Sequence, residues 1–223
     1  AEDGIRDVER SRGLGDVYKR QLRKRPMIAI TFDDGYDCWY YQVVPVLEEL
    51  KVPAVFFVCS GFIGLTEEEA SSFCKKKLKR KQSLRPLNKK QLKEIANHPL
   101  FKIGSHTRNH VDLGKVLDRK TLDYEIDGDR KQLEDWTGIE VRWFAYPFGG
   151  FSNISFEALQ YLKKSSFRAA FTIIPGFVDL YKEKFMVRRD SLNVMDPRWL
   201  WKAWLNGGYD DLYILKQKGV KIY

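Results

Sequence analysis

Apolar positions change period repeatedly along this chain, and the changes outline an alternation of strands and helices. "MIAITF" (27–32) is a short unbroken apolar run with β-branched residues, the pattern of a buried strand. "YQVVPVLEELK" (41–51) spaces its apolar residues for one helical face, and "VPAVFFVCS" (52–60) reads as the next strand. Asn88 is N-cap-like, and the helix it opens, "NKKQLKEIANHP", is expected to stop before Pro99. There follow a strand "FKIGSH" (101–106), a long helix (118–138) ended by Gly138, and a strand "VRWFAYPFGG" (141–150). A helix (151–167) and a strand "RAAFTIIPG" (168–176) complete the pattern. The order β-α-β-α-β-α-β-α-β implies parallel strands joined by crossover helices. No internal repeat and no interdomain linker interrupts it.

The first residues do not belong to that pattern. "SRGLGDVYKRQ", Ser11–Gln21, matches over all eleven residues the in-frame translation of the adapter and transposon mosaic end used in tagmentation libraries. Residues 1–21 are therefore read as a non-native leader and 22–223 as a single domain. A signal peptide or anchor upstream of Leu22 would be invisible, so localisation is left open between the cell envelope or exterior and the cytoplasm.

Composition narrows the class. About 200 residues can bury one sizeable core, and no apolar run approaches the roughly 18 residues of a membrane helix. The formal charge of +9 is local, because Lys75–Lys93 holds ten Lys or Arg and no acid. That run reads first as a solvated loop and helix start. An anionic glycan, an envelope surface or nucleic acid are the functional alternatives. Nucleic acid is disfavoured, since no aromatic residue interleaves with the run as a stacking platform. Three cysteines (Cys38, Cys59, Cys74) without a CxxC spacing read as buried thiols.

Polar clusters follow three of the strand runs: "DDG", "SHTRNH" and "YPFGG". In parallel α/β folds, functional residues gather at the carboxyl ends of strands. His106 and His110 stand four apart, which puts both imidazoles on one face if the segment turns helically. With a carboxylate from the other strand end they form a His₂Asp set suited to a divalent cation, most naturally Zn²⁺. The adjacent Asp33 and Asp34 then acquire separate tasks. One ligates the cation, which offsets the repulsion between them, and the other acts as a general base on water activated there.

"TFDDG" together with "SHTRNH" resembles the first two motifs of the polysaccharide deacetylases, carbohydrate esterase family 4, the NodB homology domain. The resemblance runs from about Met27 towards the C-terminus. It implies a distorted (β/α) barrel with fewer than eight regular strands. The implied reaction is metal-dependent hydrolysis of N-acetyl, or less often O-acetyl, groups on a glycan. Asp33 then corresponds to the base, and Asp34, His106 and His110 to the metal ligands. Substrate contact carries over to Tyr146, Pro147 and Phe148, with the Phe148 backbone N–H as an oxyanion donor. Two departures stand out. Ala145 occupies the place where the family carries an arginine that orients the base, so Arg189 or Arg188 is expected to take that role. The family's late histidine, the general acid, has no counterpart after Arg198. The alternative is therefore a weak or inactive glycan-binding member of the same fold. His98 is expected to be structural, and Trp199, Trp201 and Trp204, at helical spacing, are read as core rather than sugar platforms.

Overall fold

The structure, a computed structural model, describes residues 28–176, 183–192 and 196–205. The leader assigned to residues 1–21 lies outside them. Two compact units are present: the larger comprises Ala29–Ile174 with Asp179–Val187, and the smaller comprises the remaining residues.

The larger unit carries one parallel sheet whose five strands are hydrogen-bonded in chain order. They are β1 (Ile30–Asp34), β2 (Ala54–Val58), β3 (Phe101–Ser105), β4 (Trp143–Ala145) and β5 (Ala169–Phe171). Because the order never reverses, each crossover advances the sheet one strand in the same direction. Crossovers of the usual right hand then put the helices on one face, and the sheet curls into a half-barrel with helices outside. A doubly wound sheet would instead reverse its order at a switch point. The expected incomplete (β/α) barrel is what forms.

The helices of this unit are α1 (Val44–Glu49), α2 (Glu67–Lys76), α3 (Lys89–Asn97), α4 (Arg119–Leu122), α5 (Gly128–Thr137) and α6 (Phe156–Lys164). A π-helical turn, Trp39–Val43, leads into α1, and another, Asp123–Asp127, joins α4 to α5. The long helix read over 118–138 is thus one rod with an underwound, π-helical middle, closed by left-handed Gly138 at φ 75°. Helix α2 was not foreseen, although its start signal is in the sequence. Thr66 and Glu69 form a reciprocal capping box, with three glutamates in the first turn and Lys75 and Lys76 in the last. The basic run therefore begins as a helix end rather than as a loop.

Residues of β2 are apolar on both faces, and Phe56, Phe57 and Val58 are fully buried, as befits a central parallel strand. On the side packed by helices, Phe56 meets Phe32, Trp39 and Phe101 with ring centroids 5.2–5.5 Å apart. On the inner side, Phe57 meets Phe171 of β5 at 5.3 Å. Gly104 of β3 makes room for that ring, since a Cβ there would lie 2.4 Å from Phe57 Cδ1. Burying a side chain of this size contributes roughly 1.5–3 kcal/mol, so this cluster fixes which strand ends sit together.

The cysteines are free thiols, Cys59 and Cys74 buried and Cys38 half-buried. Among the described residues no helix is long and apolar enough to cross a membrane. In the smaller unit, α7 (Arg198–Leu205) leaves Trp199 68% exposed, against the expectation of a core tryptophan. The side chain of Trp204 lies outside the described residues.

Candidate metal centre

Strand β1 runs two residues further than its apolar pattern, so Asp33 and Asp34 are themselves strand residues, paired in register with Phe57 and Val58. Asp34 then turns sharply at φ 92° into Gly35 at φ 116°. A glycine tolerates that conformation and an aspartate does so at a cost. The turn brings the Asp34 carboxylate over the end of β3, where His106 and His110 wait. All three are at least nine-tenths buried, and one ligand atom from each lies within 4.8 Å of the others. Asp34 Oδ1 stands 3.4 Å from His110 Nε2 and 3.6 Å from His106 Nε2.

The two histidines do not meet by helical spacing. Residues 106–110 form an irregular loop in which Thr107 and His110 adopt positive φ, 61° and 50°. Each such residue costs of order 1–3 kcal/mol and persists only where its surroundings impose it. Those surroundings are on the α4–α5 rod. Glu125, in the π-helical turn, accepts from the backbone and the side-chain amide of Asn109 at 2.9 and 2.8 Å. Arg108 reaches the Gly128 carbonyl at 2.9 Å, and Thr107 Oγ1 accepts from Val111 N at 3.1 Å. An extra residue in the helical turn thus aims a carboxylate at the loop, a frequent use of a π-bulge.

Each imidazole is oriented by a carbonyl. His106 Nδ1 lies 2.8 Å from Ala145 O and His110 Nδ1 lies 3.2 Å from Lys77 O. A carbonyl can only accept, so both rings donate from Nδ1 and turn Nε2, the lone-pair nitrogen of a neutral ring, towards Asp34 Oδ1. Burial, followed by the neighbouring His106, lowers the His110 pKa to about 4, which keeps this ring neutral in the metal-free protein. Cations at 2.0–2.2 Å from tetrahedral ligands hold those ligands about 3.4 Å apart. The His110 spacing, 3.4 Å, equals that value and the His106 spacing, 3.6 Å, exceeds it slightly. A carboxylate and two imidazoles gathered in this way could hold a metal ion.

Beneath the site, Asp129 of α5 is wholly buried and ties two strand ends together. It accepts from Ser60 N at 2.8 Å and from Ser105 Oγ at 2.6 Å. Burial raises its pKa to about 6 against the opposing effect of those donors. The Asp34 carboxylate is also held from its other side, where Tyr36 donates its hydroxyl to Oδ2 at 2.5 Å. Burial first, and then that carboxylate, push the phenol well above its ordinary range, so it stays protonated.

Comparison with known proteins decides the family. Residues 20–164 match the polysaccharide deacetylase family.

This chain is a polysaccharide deacetylase family member.

The poly-β-1,6-N-acetyl-D-glucosamine N-deacetylase of Staphylococcus aureus is 24% identical over 197 residues, 82% of this chain and 62% of that protein. A polysaccharide deacetylase from Bacillus cereus superposes with a TM-score of 0.63 at 23% identity, over 79% of this chain and 50% of that one. The Streptococcus pyogenes deacetylase PplD, solved with acetate, gives a TM-score of 0.62 at 20% identity over 85% and 77%. The chain therefore spans about three-fifths of the staphylococcal relative's length.

The polysaccharide deacetylase fold brings some of the expected residues to the site and withholds others. Asp33 is half-buried beside Asp34. Phe148 sits at the site in a positive-φ turn at 60°, its ring edge-on to His110 with centroids 4.6 Å apart. Pro147 is buried. Tyr146 is a correction, because its side chain is fully buried and its hydroxyl donates to Phe185 O at 3.0 Å, so it packs in the core instead of meeting substrate. Ala145, at the place of the family's arginine, contributes its carbonyl to His106. Arg188 and Arg189 belong to the smaller unit, where Arg188 donates to Pro175 O at 3.3 Å. His98 caps α3, stacks on Phe101 at 4.5 Å and lies 3.3 Å from Glu48, contacts of a structural residue.

Sequence reasoning missed Tyr36, Glu125, Asp129 and the Lys77–Arg80 turn. Tyr36 could have been suspected from its place two residues after Asp34. The others carried no local signal, because each reaches the site from an element distant in the chain.

Proposed function

We propose that this chain is a metal-dependent N-deacetylase acting on a polymer of β-linked N-acetylglucosamine. The reading is carried by the buried Asp34–His106–His110 trio, whose two imidazoles point their Nε2 atoms at one carboxylate oxygen. The staphylococcal relative's own substrate supports the choice of a β-1,6-linked polymer. A bound cation, most naturally Zn²⁺, supplies Lewis-acid polarisation of the acetyl carbonyl and lowers the pKa of water.

In this reading Asp34, His106 and His110 hold the cation, and Asp33 takes the proton from the attacking water. The Phe148 backbone N–H is the proposed donor to the developing oxyanion, and Pro147 helps fix its turn. The three histidines of this sequence are His98, His106 and His110, and none follows Arg198. Protonated Asp33 is the proposed donor, since a base that has taken a proton can return it. The glycans of such enzymes lie at or outside the cell surface, and we assign this chain to the same setting.

The test is acetate release from oligomers of β-1,6-linked N-acetylglucosamine by the zinc-loaded protein. Asp33→Asn is expected to lower release by roughly 10² to 10⁴ while zinc binding persists. If the loaded wild type frees no acetate from any acetylated glycan supplied but still binds the oligomer, the chain is a glycan-binding member. Alanine at 145 favours that second reading.

A further inference from the structure

The basic run was read as a solvated surface, yet one turn of it reaches the buried trio. Helix α2 ends at Lys76, and the chain folds back over its C-terminus through Leu78 N to Phe73 O at 3.2 Å and Arg80 N to Cys74 O at 2.9 Å. Leu78 is buried and Lys79 takes a left-handed φ of 57°, so the turn is anchored by packing and by hydrogen bonds. Two of its groups face inward. The Lys77 carbonyl accepts from His110 Nδ1 at 3.2 Å. Arg80 Nε donates to the Tyr36 hydroxyl oxygen at 2.9 Å, with another guanidinium nitrogen 3.8 Å from Asp34 Oδ2.

The direction of that chain of hydrogen bonds is fixed by chemistry. A guanidinium cannot accept, so the Tyr36 oxygen accepts from Arg80 and sends its own proton to Asp34 Oδ2, 2.5 Å away. Oδ2 is thereby engaged, and Oδ1 alone faces His106 and His110 Nε2, at 3.6 and 3.4 Å. The Tyr36 ring cannot swing away, because Trp39 and Phe62 meet it edge-on at 6.1 and 5.8 Å.

We propose that Tyr36 and Arg80 are positioning residues that hold Asp34 as a one-oxygen ligand, so that the Lys77–Arg80 turn orients two of the three metal ligands. The proposal deepens the metal-dependent reading above and rests on it. Neither residue touches substrate in this scheme. Both act through Asp34, and outer-shell partners of that kind typically change metal affinity by 10- to 100-fold.

Zinc affinity, measured by calorimetric titration of the metal-stripped chain, tests it, with Co²⁺ absorption reporting ligand geometry. Tyr36→Phe keeps the ring and removes the donor, and is expected to weaken zinc binding about 10- to 100-fold and alter the Co²⁺ spectrum. Arg80→Gln, at a largely exposed side chain, is expected to weaken it less, with partial recovery in Arg80→Lys. The metal-free melting temperature of each variant separates this from a packing defect. If both variants bind zinc within twofold of wild type with an unchanged Co²⁺ spectrum, the positioning role is overturned. If the wild type itself binds neither metal, the metal-dependent reading falls and this proposal with it. Should Tyr36→Phe not fold, the Arg80 pair decides alone.

Discussion

His106 Nδ1 lies 2.8 Å from the carbonyl of Ala145, which binds the end of β3 to the end of β4 through a side chain of the candidate trio. The bond fixes the tautomer and the plane of the ring at once. The contribution of position 145 to this bond is main-chain and does not depend on its side chain. His106→Gln removes a donor atom from the proposed ligand set while keeping a polar side chain. Zinc affinity is expected to fall by roughly 10²-fold or more, since a direct ligand matters at least as much as its outer-shell partner. Calorimetric titration reads this, and unaltered affinity would place the metal elsewhere.

Zinc should also stabilise the fold. At a free concentration of about 100 times Kd, a ligand that binds only the native state contributes about 2.7 kcal/mol. For a domain of this size that raises Tm by roughly 5–10 °C. EDTA is expected to reverse the rise in wild type and to leave the His106→Gln melt unmoved.

Asp129 is the buried joint of the site. Asp129→Ala leaves Ser60 N and Ser105 Oγ without their shared acceptor. An orphaned buried donor costs about 1–3 kcal/mol, so the pair together is expected to cost about 2–5 kcal/mol. Urea denaturation of the metal-free chain measures it. A loss below about 1 kcal/mol would show that water replaces the carboxylate without cost.

Stability against pH separates two opposed groups in the metal-free chain. His110 titrates at about 4 when folded, below its ordinary 6.5. Its contribution is therefore present above pH 6.5 and lost as pH falls towards 4. Asp129 titrates at about 6, above its ordinary 3.8, so its contribution is present below 3.8 and lost as pH rises towards 6. Each shift corresponds to about 3 kcal/mol, and between pH 4 and 6 they nearly cancel. His110→Asn is expected to become less stable as pH rises through that window, and Asp129→Asn more stable. Parallel urea midpoints for wild type and both variants would overturn this assignment.

Asp33→Asn keeps the volume of the side chain and removes its basicity. Acetate release is expected to fall by roughly 10² to 10⁴, the usual share of a general base, with zinc affinity held within a few-fold. An equal loss of both would mean that Asp33 is a ligand and not the base.

Much of the fold was legible because its signals are local. The apolar run of β2, the N-cap Asn88 with Gln91, and Gly138 at the end of α5 each act through neighbours in sequence. Helix α2 was missed although its capping box, Thr66 and Glu69, is equally local. Strand ends were misjudged by a few residues: β1 continues through both aspartates and β4 stops at Ala145. What extends or ends a parallel strand is its neighbour in the sheet, which the sequence alone does not display.

The site divides in the same way. Sequence singled out the candidate site residues, two carboxylates after one strand and two histidines after another. Tertiary structure decided how they meet. The histidines converge through left-handed turns held by Glu125 and not through helical spacing. Tyr146 turned into the core, and Arg80, though largely exposed, reaches the Tyr36 hydroxyl from a run of charge that read as surface. The reason is physical: side-chain type is a property of the residue, whereas burial, strain and hydrogen-bond partners are properties of elements brought together from far along the chain.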